Sequence, residues 1–302
     1  MQRIMLTGSN GFIGQKLLET LSCEAGFEVL ATSRGSNRYT GSGKYHYQAL
    51  DVCDVHALER TVADFQPHII IHTVALAQVE QCEAHPDQAR VVNVAPLRQL
   101  TGLCRRFKIK CVFLSTDFVF DGLHGPYREG DPVRPLNIYG KSKREAELVL
   151  EQGDIQWAII RTILVYGLPN APERSNFVLW VKNSLEKGQD LYIVKDHYRM
   201  PTLVEDLVGA CLQVIRKERT GYFHISGPEL YSMYQCAREI ADFWHLNRAL
   251  IHPVEAIQLD SKVLRPAYTG FILDKARQEL DYVPRTFQEG LRYMQKQMKG
   301  VR

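Results

Sequence analysis

A glycine-rich turn near the start of the chain restricts the fold more than any other feature. It follows a short apolar run at residues 4–6 and consists of Thr7, Gly8, Ser9, Asn10, Gly11, Phe12, Ile13 and Gly14. Apolar residues at Ile13, Leu17 and Leu21 then recur at helical spacing. Glycines between a strand and a helix let the backbone approach a pyrophosphate, and the helix N-terminus supplies free N–H groups. We therefore predict that residues 8–14 bind a dinucleotide, a purely structural turn being the alternative.

Further strands and helices alternate along the first half of the chain. Short apolar or β-rich runs predict strands at residues 28–32, 47–50, 69–71, 112–114 and 158–162. The run of three isoleucines at 69–71 is typical of a central parallel strand that is covered on both faces. This alternation predicts an α/β fold, a Rossmann-type doubly wound parallel sheet with right-handed crossovers.

The second half of the chain predicts a smaller lobe. Helices are expected at residues 177–185, 203–215, 232–244 and 287–298, and strands at 191–194, 222–225 and 250–254, with Ser232 and Thr286 as helix caps. We predict an NAD(P)-binding Rossmann domain at residues 1–166, to which 201–228 returns. Residues 167–200 and 229–302 would form a discontinuous C-terminal substrate lobe over the carboxyl edge of the sheet, where ligands bind in such folds.

Composition narrows the classes of partner. A net charge of +3 without a dense basic stripe argues against nucleic acid. The seven cysteines are scattered, with no CxxC motif and no cluster with histidine, so they are interpreted as reduced thiols and no metal site is assigned. The first residues show no charged and apolar leader, and no apolar run approaches the length of a membrane span. We therefore expect a cytoplasmic protein without a membrane anchor.

Polar residues at two strand ends are candidates for contacts to the adenosine half of a cofactor. Ser33 and Arg34 follow the strand at 28–32. An arginine here can accept a 2′-phosphate where NAD sites usually carry a carboxylate, which favours NADPH while NADH stays open; a solvated arginine is the alternative. Asp51 and Val52 stand where a carboxylate could meet the adenine amino group, or where Asp51 could cap the next helix.

Two later segments complete the predicted cofactor site. Val74, Ala75 and Leu76 follow the isoleucine strand, where a cofactor could lie across the strand end. Asn93 lies in a helical pattern at residues 86–108 that Pro96 could kink or divide. The alternative for Asn93 is the usual one for an asparagine inside a helix, a side chain that is exposed to solvent or hydrogen-bonded within the core.

Tyr139 and Lys143 are one helical turn apart, after a strand that ends at Ser115, Thr116 and Asp117. An ammonium near a phenol favours the phenolate, so Tyr139 is predicted to exchange a proton near neutral pH. Taken alone, the pair could also be an exposed helix pair that arises by chance.

The motifs together, in this order, resemble the extended short-chain dehydrogenase/reductases. The family's TGxxGxxG pattern corresponds to residues 7–14 and its YxxxK pattern to residues 139–143. The resemblance implies that Tyr139 donates a proton to a ketone, that Lys143 lowers the tyrosine pKa and holds the nicotinamide ribose, and that Thr116 hydrogen-bonds the carbonyl oxygen, with Ser115 as a substitute. It also implies that Asn93 holds a water or a backbone group near Lys143.

Within this family, residues 115–122 and 135–143 most resemble the dTDP-4-dehydrorhamnose reductases. That resemblance implies an NADPH-preferring reductase of a nucleotide-linked 4-keto sugar, in dTDP-rhamnose biosynthesis. Phe118 stands where the related dehydratases carry an acid, which favours simple carbonyl reduction.

The predicted substrate contacts are Thr116, Asp117, Leu164 and Arg199. Leu164 replaces a tryptophan that these reductases often carry. Another departure follows Arg265 and Pro266, where a polar pair is usual and this chain has Ala267, Tyr268, Thr269 and Gly270. Arg199 could meet a phosphate or carboxylate of the substrate, or form a surface salt bridge.

Other functions are compatible with the same motifs. The beta subunit of methionine adenosyltransferase is similar to this reductase group, so a catalytically idle, cofactor-binding regulatory subunit is the main alternative. Reduction of a ketone without a nucleotide is another. A homodimer is left open as the assembly.

Overall fold

The computed structural model describes residues 1–170, 175–258 and 263–300. Its strands are β1 (Gln2–Thr7), β2 (Phe27–Ser33), β3 (His46–Ala49), β4 (Ile69–His72), β5 (Lys110–Thr116), β6 (Trp157–Thr162), β7 (Val165–Tyr166), β8 (Leu191–Val194), β9 (Tyr198–Arg199), β10 (Thr202–Leu203), β11 (Gly221–Ile225), β12 (Tyr231–Ser232) and β13 (Ile251–Val254). Its helices are α1 (Phe12–Leu21), α2 (Val55–Phe65), α3 (Val79–Ala84), α4 (Pro86–Asn93), α5 (Ala95–Phe107), α6 (Ile138–Glu151), α7 (Phe177–Glu186), α8 (Val204–Arg216), α9 (Met233–Phe243), α10 (Asp274–Leu280) and α11 (Phe287–Met298).

The central sheet has the order β3-β2-β1-β4-β5-β6-β11, and neighbouring strands are parallel throughout. The chain order reverses between β1 and β4, so the helices after these strands lie on opposite faces. Such a reversal leaves a crevice at the carboxyl ends of the strands. The predicted fold class, a doubly wound α/β sheet, is confirmed.

Two apolar cores flank the sheet because successive side chains of a strand point to opposite faces. In β1, Ile4 and Leu6 belong to the core beneath α1 and α8, whereas Met5 belongs to the core beneath α2, α5 and α6. The isoleucines of β4 are all buried. Burial on both faces explains why this strand is apolar without alternation.

The helical pattern at 86–108 forms two helices, and the break lies at Val94 rather than at Pro96. Pro96 is in the first turn of α5, where a missing N–H is tolerated because it has no partner within the helix. The glycine- and serine-rich segment 35–44 is held by hydrogen bonds: the Asn10 side chain contacts its backbone, and the Lys44 N–H donates to the Ser22 carbonyl.

A third apolar core lies in the second half of the chain. It joins α7, α9 and α11 to the parallel pair β8 and β13.

The predicted caps are present, since Ser232 and Thr286 each form a capping box with the residue three positions later. The helix α10 was not predicted. The division into two domains at the predicted boundaries stays a prediction. No helix among the described residues is both long and apolar enough to cross a membrane.

A buried ion pair joins α6 to the sheet. The carboxylate of Glu147 accepts hydrogen bonds from Arg161 Nε and Nη2 at 2.9 and 2.8 Å and from Ser115 Oγ at 2.6 Å. Glu147 and Arg161 are 0% and 1% exposed. The pair therefore sets the position of α6 on β5 and β6 without competition from water.

Replacing Arg161 by Met should destabilise the fold by about 3–5 kcal/mol, because the Glu147 carboxylate stays buried without its main partner. The measurement is urea unfolding near neutral pH. The control is Arg106→Met, which removes an exposed pair with Glu59 and should cost less than about 1 kcal/mol. Equal losses in the two variants would contradict this account of the buried pair.

Candidate active site

A cavity of about 1160 Å³ opens at the carboxyl edge of the sheet. Many of the predicted site residues line it: Gly11, Phe12, Ile13, Gly14, Ala75, Ser115, Thr116, Asp117, Tyr139, Lys143, Leu164 and Arg199. Tertiary structure thus brings the glycine turn, the end of β5 and the Tyr/Lys helix to one place. The remaining predicted residues lie outside this lining: Gly8, Ser9, Asn10, Ser33, Arg34, Asp51, Val52, Val74, Leu76 and Asn93.

The glycine turn packs too closely for larger residues. Gly8 has a φ of +81°, and a Cβ on Gly14 would lie 2.2 Å from the Gly8 carbonyl oxygen. The N–H groups of Gly8 and Ser9 both donate to the Thr32 carbonyl oxygen, which ties the turn to β2. The first turn of α1 carries no acidic residue and no side-chain cap. Its N–H groups therefore suit an anionic ligand.

Asn10 connects the glycine turn to Arg38, a second basic residue besides Arg34. Its Nδ2 donates to the Ser36 carbonyl at 2.9 Å, and its Oδ1 accepts from the Arg38 N–H at 2.9 Å. Arg34 and Arg38 are both exposed beyond the end of β2. The sequence reasoning singled out Arg34 and missed Arg38. The only sign of Arg38 in the sequence was the polar side chain of Asn10 inside the glycine turn, because the contact between the two residues spans 28 positions.

Asp51 lies at the surface beyond β3, and Val52 is buried. The Asp51 carboxylate accepts the Cys53 N–H at 3.0 Å. The helix-cap alternative for Asp51 is wrong, because Asp54 caps α2 through the Ala57 N–H at 3.0 Å. The predicted adenine contact stays a prediction.

Asn93 is buried at the end of α4 and holds a backbone segment. Its Oδ1 accepts the Leu76 N–H at 2.7 Å, and its Nδ2 donates to the Leu76 carbonyl and to Ser142 Oγ. Ser142 Oγ in turn donates to the Tyr139 carbonyl at 2.7 Å. Asn93 thereby links the 74–76 segment, whose Val74 packs on Gly8, to the Tyr/Lys helix.

Tyr139 and Lys143 face the cavity from α6, but their electrostatics differ from the prediction. Burial raises the pKa of the Tyr139 phenol, a hydrogen bond with Thr116 lowers it, and the nearby Asp117 raises it. The net direction is upward, opposite to the predicted lowering by Lys143. Lys143 is 3% exposed, and its amine donates to the Leu114 carbonyl at 2.6 Å and lies 4.0 Å from the Phe113 ring centroid.

Burial also controls the charge of Lys143. It lowers the pKa of Lys143 to about 7, against the opposing effect of the Glu147 carboxylate. His72, at the end of β4, is buried beside it, and burial together with the Lys143 charge lowers the pKa of His72 to about 3. Its Nδ1 lies 2.8 Å from Thr7 Oγ1. Sequence reasoning missed His72, which directly follows the predicted isoleucine strand.

The two hydroxyls at the end of β5 have different roles. Ser115 donates its proton to Glu147, since a carboxylate can only accept. It is therefore not free to donate to a carbonyl as a substitute for Thr116. Thr116 Oγ1 accepts the Phe118 N–H, and its single proton can be donated either to Asp117 Oδ1, 3.2 Å away, or to the Tyr139 phenol oxygen.

Asp117 joins Thr116 to the second half of the chain. Its Oδ2 accepts from Thr269 Oγ1 at 2.6 Å and lies 3.6 Å from Arg199 Nε. Burial raises the pKa of Asp117, although Arg199, Thr269 and Thr116 oppose the shift. Thr269 belongs to the segment in which the sequence departs from the reductase pattern, and it supplies a polar contact there.

The alternative prediction for Arg199, a salt bridge at the surface, is wrong because the residue is buried. It is 5% exposed, and its guanidinium donates to the Tyr198 and Pro266 carbonyls at 2.7 Å each. Leu164 also lines the cavity, with a left-handed φ of +40°. Contact of either residue with a substrate stays a prediction.

Several lining residues were not among the predicted site residues: Glu80, Phe118, Val194, His197, Met233 and Arg265. Phe118 packs edge-on against Tyr139, with ring centroids 5.9 Å apart. Within residues 1–170, 175–258 and 263–300, no three His, Cys, Asp or Glu side chains group in a way that could hold a metal ion.

The depressed pKa of Lys143 should appear in the pH dependence of stability. In the folded chain Lys143 loses its proton near pH 7, whereas an unfolded lysine keeps it to about pH 10.4. Between these values the unfolded chain binds more protons, so the free energy of unfolding gains a contribution that rises with pH, on the order of a few kcal/mol.

The test compares urea unfolding of the wild type and Lys143→Met from pH 6 to pH 10. The stability of the wild type relative to the variant should rise across this range. A difference that stays constant with pH would mean that Lys143 titrates normally in the folded protein.

Comparison with known proteins agrees with this architecture. A family model described as RmlD substrate binding domain matches residues 1–299. The spore coat polysaccharide biosynthesis protein SpsK of Bacillus subtilis (strain 168) is 31% identical over 297 residues, which is 98% of each chain. The methionine adenosyltransferase 2 subunit beta of Bos taurus is 28% identical over 258 residues, 84% of this chain and 75% of the relative.

Solved structures of dTDP-4-dehydrorhamnose reductases are also similar. The Clostridium acetobutylicum protein has a TM-score of 0.86 at 25% identity, covering 99% of this chain and all of that one. The Bacillus anthracis protein, in complex with NADP, has a TM-score of 0.84 at 26% identity, covering 98% of this chain and all of that one. The resemblance to extended short-chain dehydrogenase/reductases is therefore confirmed, and the chain belongs to the family described as RmlD substrate binding domain.

Proposed function

We propose that this chain is an NADPH-preferring reductase of a nucleotide-linked 4-keto sugar of the dTDP-4-dehydrorhamnose type. The observation that carries the proposal is the convergence of Thr116, Tyr139, Lys143 and the N-terminus of α1 on one cavity. Membership of the RmlD family, with reductase relatives of which one is in complex with NADP, supports both an NAD(P)H-dependent oxidoreductase and this cofactor.

The residues present fit a dinucleotide. Gly8 and Gly14 allow the close approach of a pyrophosphate to the turn, and α1 offers N–H groups without a competing acidic side chain. Arg34 and Arg38 suit a 2′-phosphate beyond β2. The bound nicotinamide would supply the hydride for the ketone carbon, while Lys143 holds the ribose hydroxyls.

Tyr139 serves as the proton donor to the forming alkoxide. Because its pKa is raised, the phenol is protonated at neutral pH and is in the donating form. Thr116 donates a hydrogen bond to the carbonyl oxygen, for which its single proton turns away from Asp117 Oδ1, 3.2 Å away. Phe118 adds no acid to this end of the cavity, which favours reduction over elimination of water.

Basic side chains line one part of the cavity. His197, Arg199 and Arg265 all line it, and the charges of the two arginines add to the effect of burial in lowering the pKa of His197. Arg199 has its charge matched by Asp117. A nucleotide-linked sugar brings a diphosphate, and its negative charge suits the region around His197 and Arg265. This supports a nucleotide-linked substrate over a free ketone.

Replacing Tyr139 by Phe should reduce turnover by about 10²–10⁴-fold, the usual contribution of a general acid. The measurement is loss of NADPH absorbance with dTDP-4-dehydrorhamnose. NADPH affinity, followed by its fluorescence, should stay within about twofold, because the ring and its packing on Phe118 are kept. Undiminished turnover in the variant would exclude Tyr139 as the donor.

The two arginines beyond β2 should determine the choice of cofactor. Loss of a charged contact to the 2′-phosphate typically costs about 1.5–3 kcal/mol, so Arg34→Gln and Arg38→Gln should each raise the KM for NADPH about tenfold or more. The KM for NADH is the internal control and should not change. A parallel rise for both cofactors would argue against 2′-phosphate recognition.

A second function is favoured by the similarity to the methionine adenosyltransferase beta subunit. In that case the chain would bind NADPH and regulate a partner without turnover. The two functions separate when purified protein is given NADPH and a panel of nucleotide-linked 4-keto sugars. Turnover supports the reductase, whereas tight NADPH binding without turnover of any sugar supports the regulatory subunit.

A further inference from the structure

An ion pair crosses the cavity between two distant parts of the chain. Arg265 Nη2 contacts Glu80 Oε1, and both residues line the cavity. Glu80 lies in the first turn of α3, just after the sheet strand β4, whereas Arg265 belongs to the C-terminal region. We propose that Glu80 competes with the diphosphate of the substrate for Arg265 and so sets the affinity for anionic ligands. This inference rests on the proposed function.

The backbone on both sides of Arg265 is fixed. The Leu264 carbonyl accepts from Asn137 Nδ2 at 2.9 Å, and the Pro266 carbonyl accepts from Arg199 Nη2 at 2.7 Å. The Tyr268 N–H donates to the Gly122 carbonyl at 3.1 Å. A change of partner at Arg265 therefore involves its long side chain and leaves the segment in place.

The side chains themselves retain contact with solvent. The exposed fraction is 29% for the Arg265 side chain and 64% for that of Glu80. An ion pair in this environment is weak, typically worth less than about 1 kcal/mol. A diphosphate offers a guanidinium stronger, bidentate hydrogen bonds. The guanidinium can therefore pass from the carboxylate to the phosphate at little cost.

The charges around the pair explain why Glu80 matters for selectivity. Arg265 lies near Arg199 and His197, and its charge contributes, after burial, to the lowered pKa of each. Glu80 offsets this local excess of positive charge through its contact with Arg265. A ligand takes over that contact only if it carries enough negative charge, which disfavours neutral ketones.

The test measures KM for dTDP-4-dehydrorhamnose in the wild type, Glu80→Gln, Arg265→Gln and the double variant. Glu80→Gln should lower KM about two- to fivefold, because the amide keeps the shape but not the charge and the lost pair is worth less than about 1 kcal/mol. Arg265→Gln should raise KM about tenfold or more. Adding Glu80→Gln to Arg265→Gln should cause no further change, because Glu80 acts through Arg265. Glu59→Gln, which alters the exposed pair with Arg106 far from the cavity, should match the wild type.

The same four proteins are titrated by calorimetry with dTDP, which binds as a nucleotide diphosphate but does not react. This separates the inference from the proposed function, because the order of dTDP affinities tests the competition even if no sugar is turned over. An unchanged affinity in Glu80→Gln would overturn the proposal. So would an equal gain in the Arg265→Gln background, because Glu80 would then act by direct repulsion of the ligand.

Discussion

The geometry of the active site depends on one buried carboxylate. Glu147 lies one helical turn after Lys143 and receives hydrogen bonds from Arg161 and Ser115, so it fixes α6 against β5 and β6. A buried charge tolerates few arrangements, because each oxygen must keep its donors. The helix that carries Tyr139 and Lys143 is therefore held in one position relative to Thr116.

Burial has the largest effect on the chemistry of the site. It raises the pKa of Tyr139 and lowers that of Lys143 to about 7 and that of His72 to about 3. Each shift favours the neutral form, as expected for groups removed from water. A neutral phenol beside a weakly basic amine suits proton donation to a ketone. The Arg265 side chain is 29% exposed, so its charge lies where solvent reaches the cavity and costs less.

Much of the fold follows from local patterns. Apolar runs predicted the strands of the sheet, and Ser232 and Thr286 cap helices as expected because capping involves only neighbouring residues. The break in the helical pattern was predicted at Pro96 but lies at Val94, because a proline in the first turn starts a helix as readily as it divides one. The glycine turn was predictable because the close approach of Gly14 to the Gly8 carbonyl is a local contact, although Thr32 and Val74 also pack on the turn.

The sequence by itself determined the class of fold, the glycine turn before α1 and the Tyr139/Lys143 pair, all of which depend on spacing along the chain. Tertiary structure decided how these groups are charged and oriented. It committed the Ser115 proton to Glu147, enclosed Arg199 among backbone carbonyls, and brought Arg265 to Glu80 across 185 residues. Burial and long-range pairing depend on how the whole chain packs, and local periodicity carries no information about either.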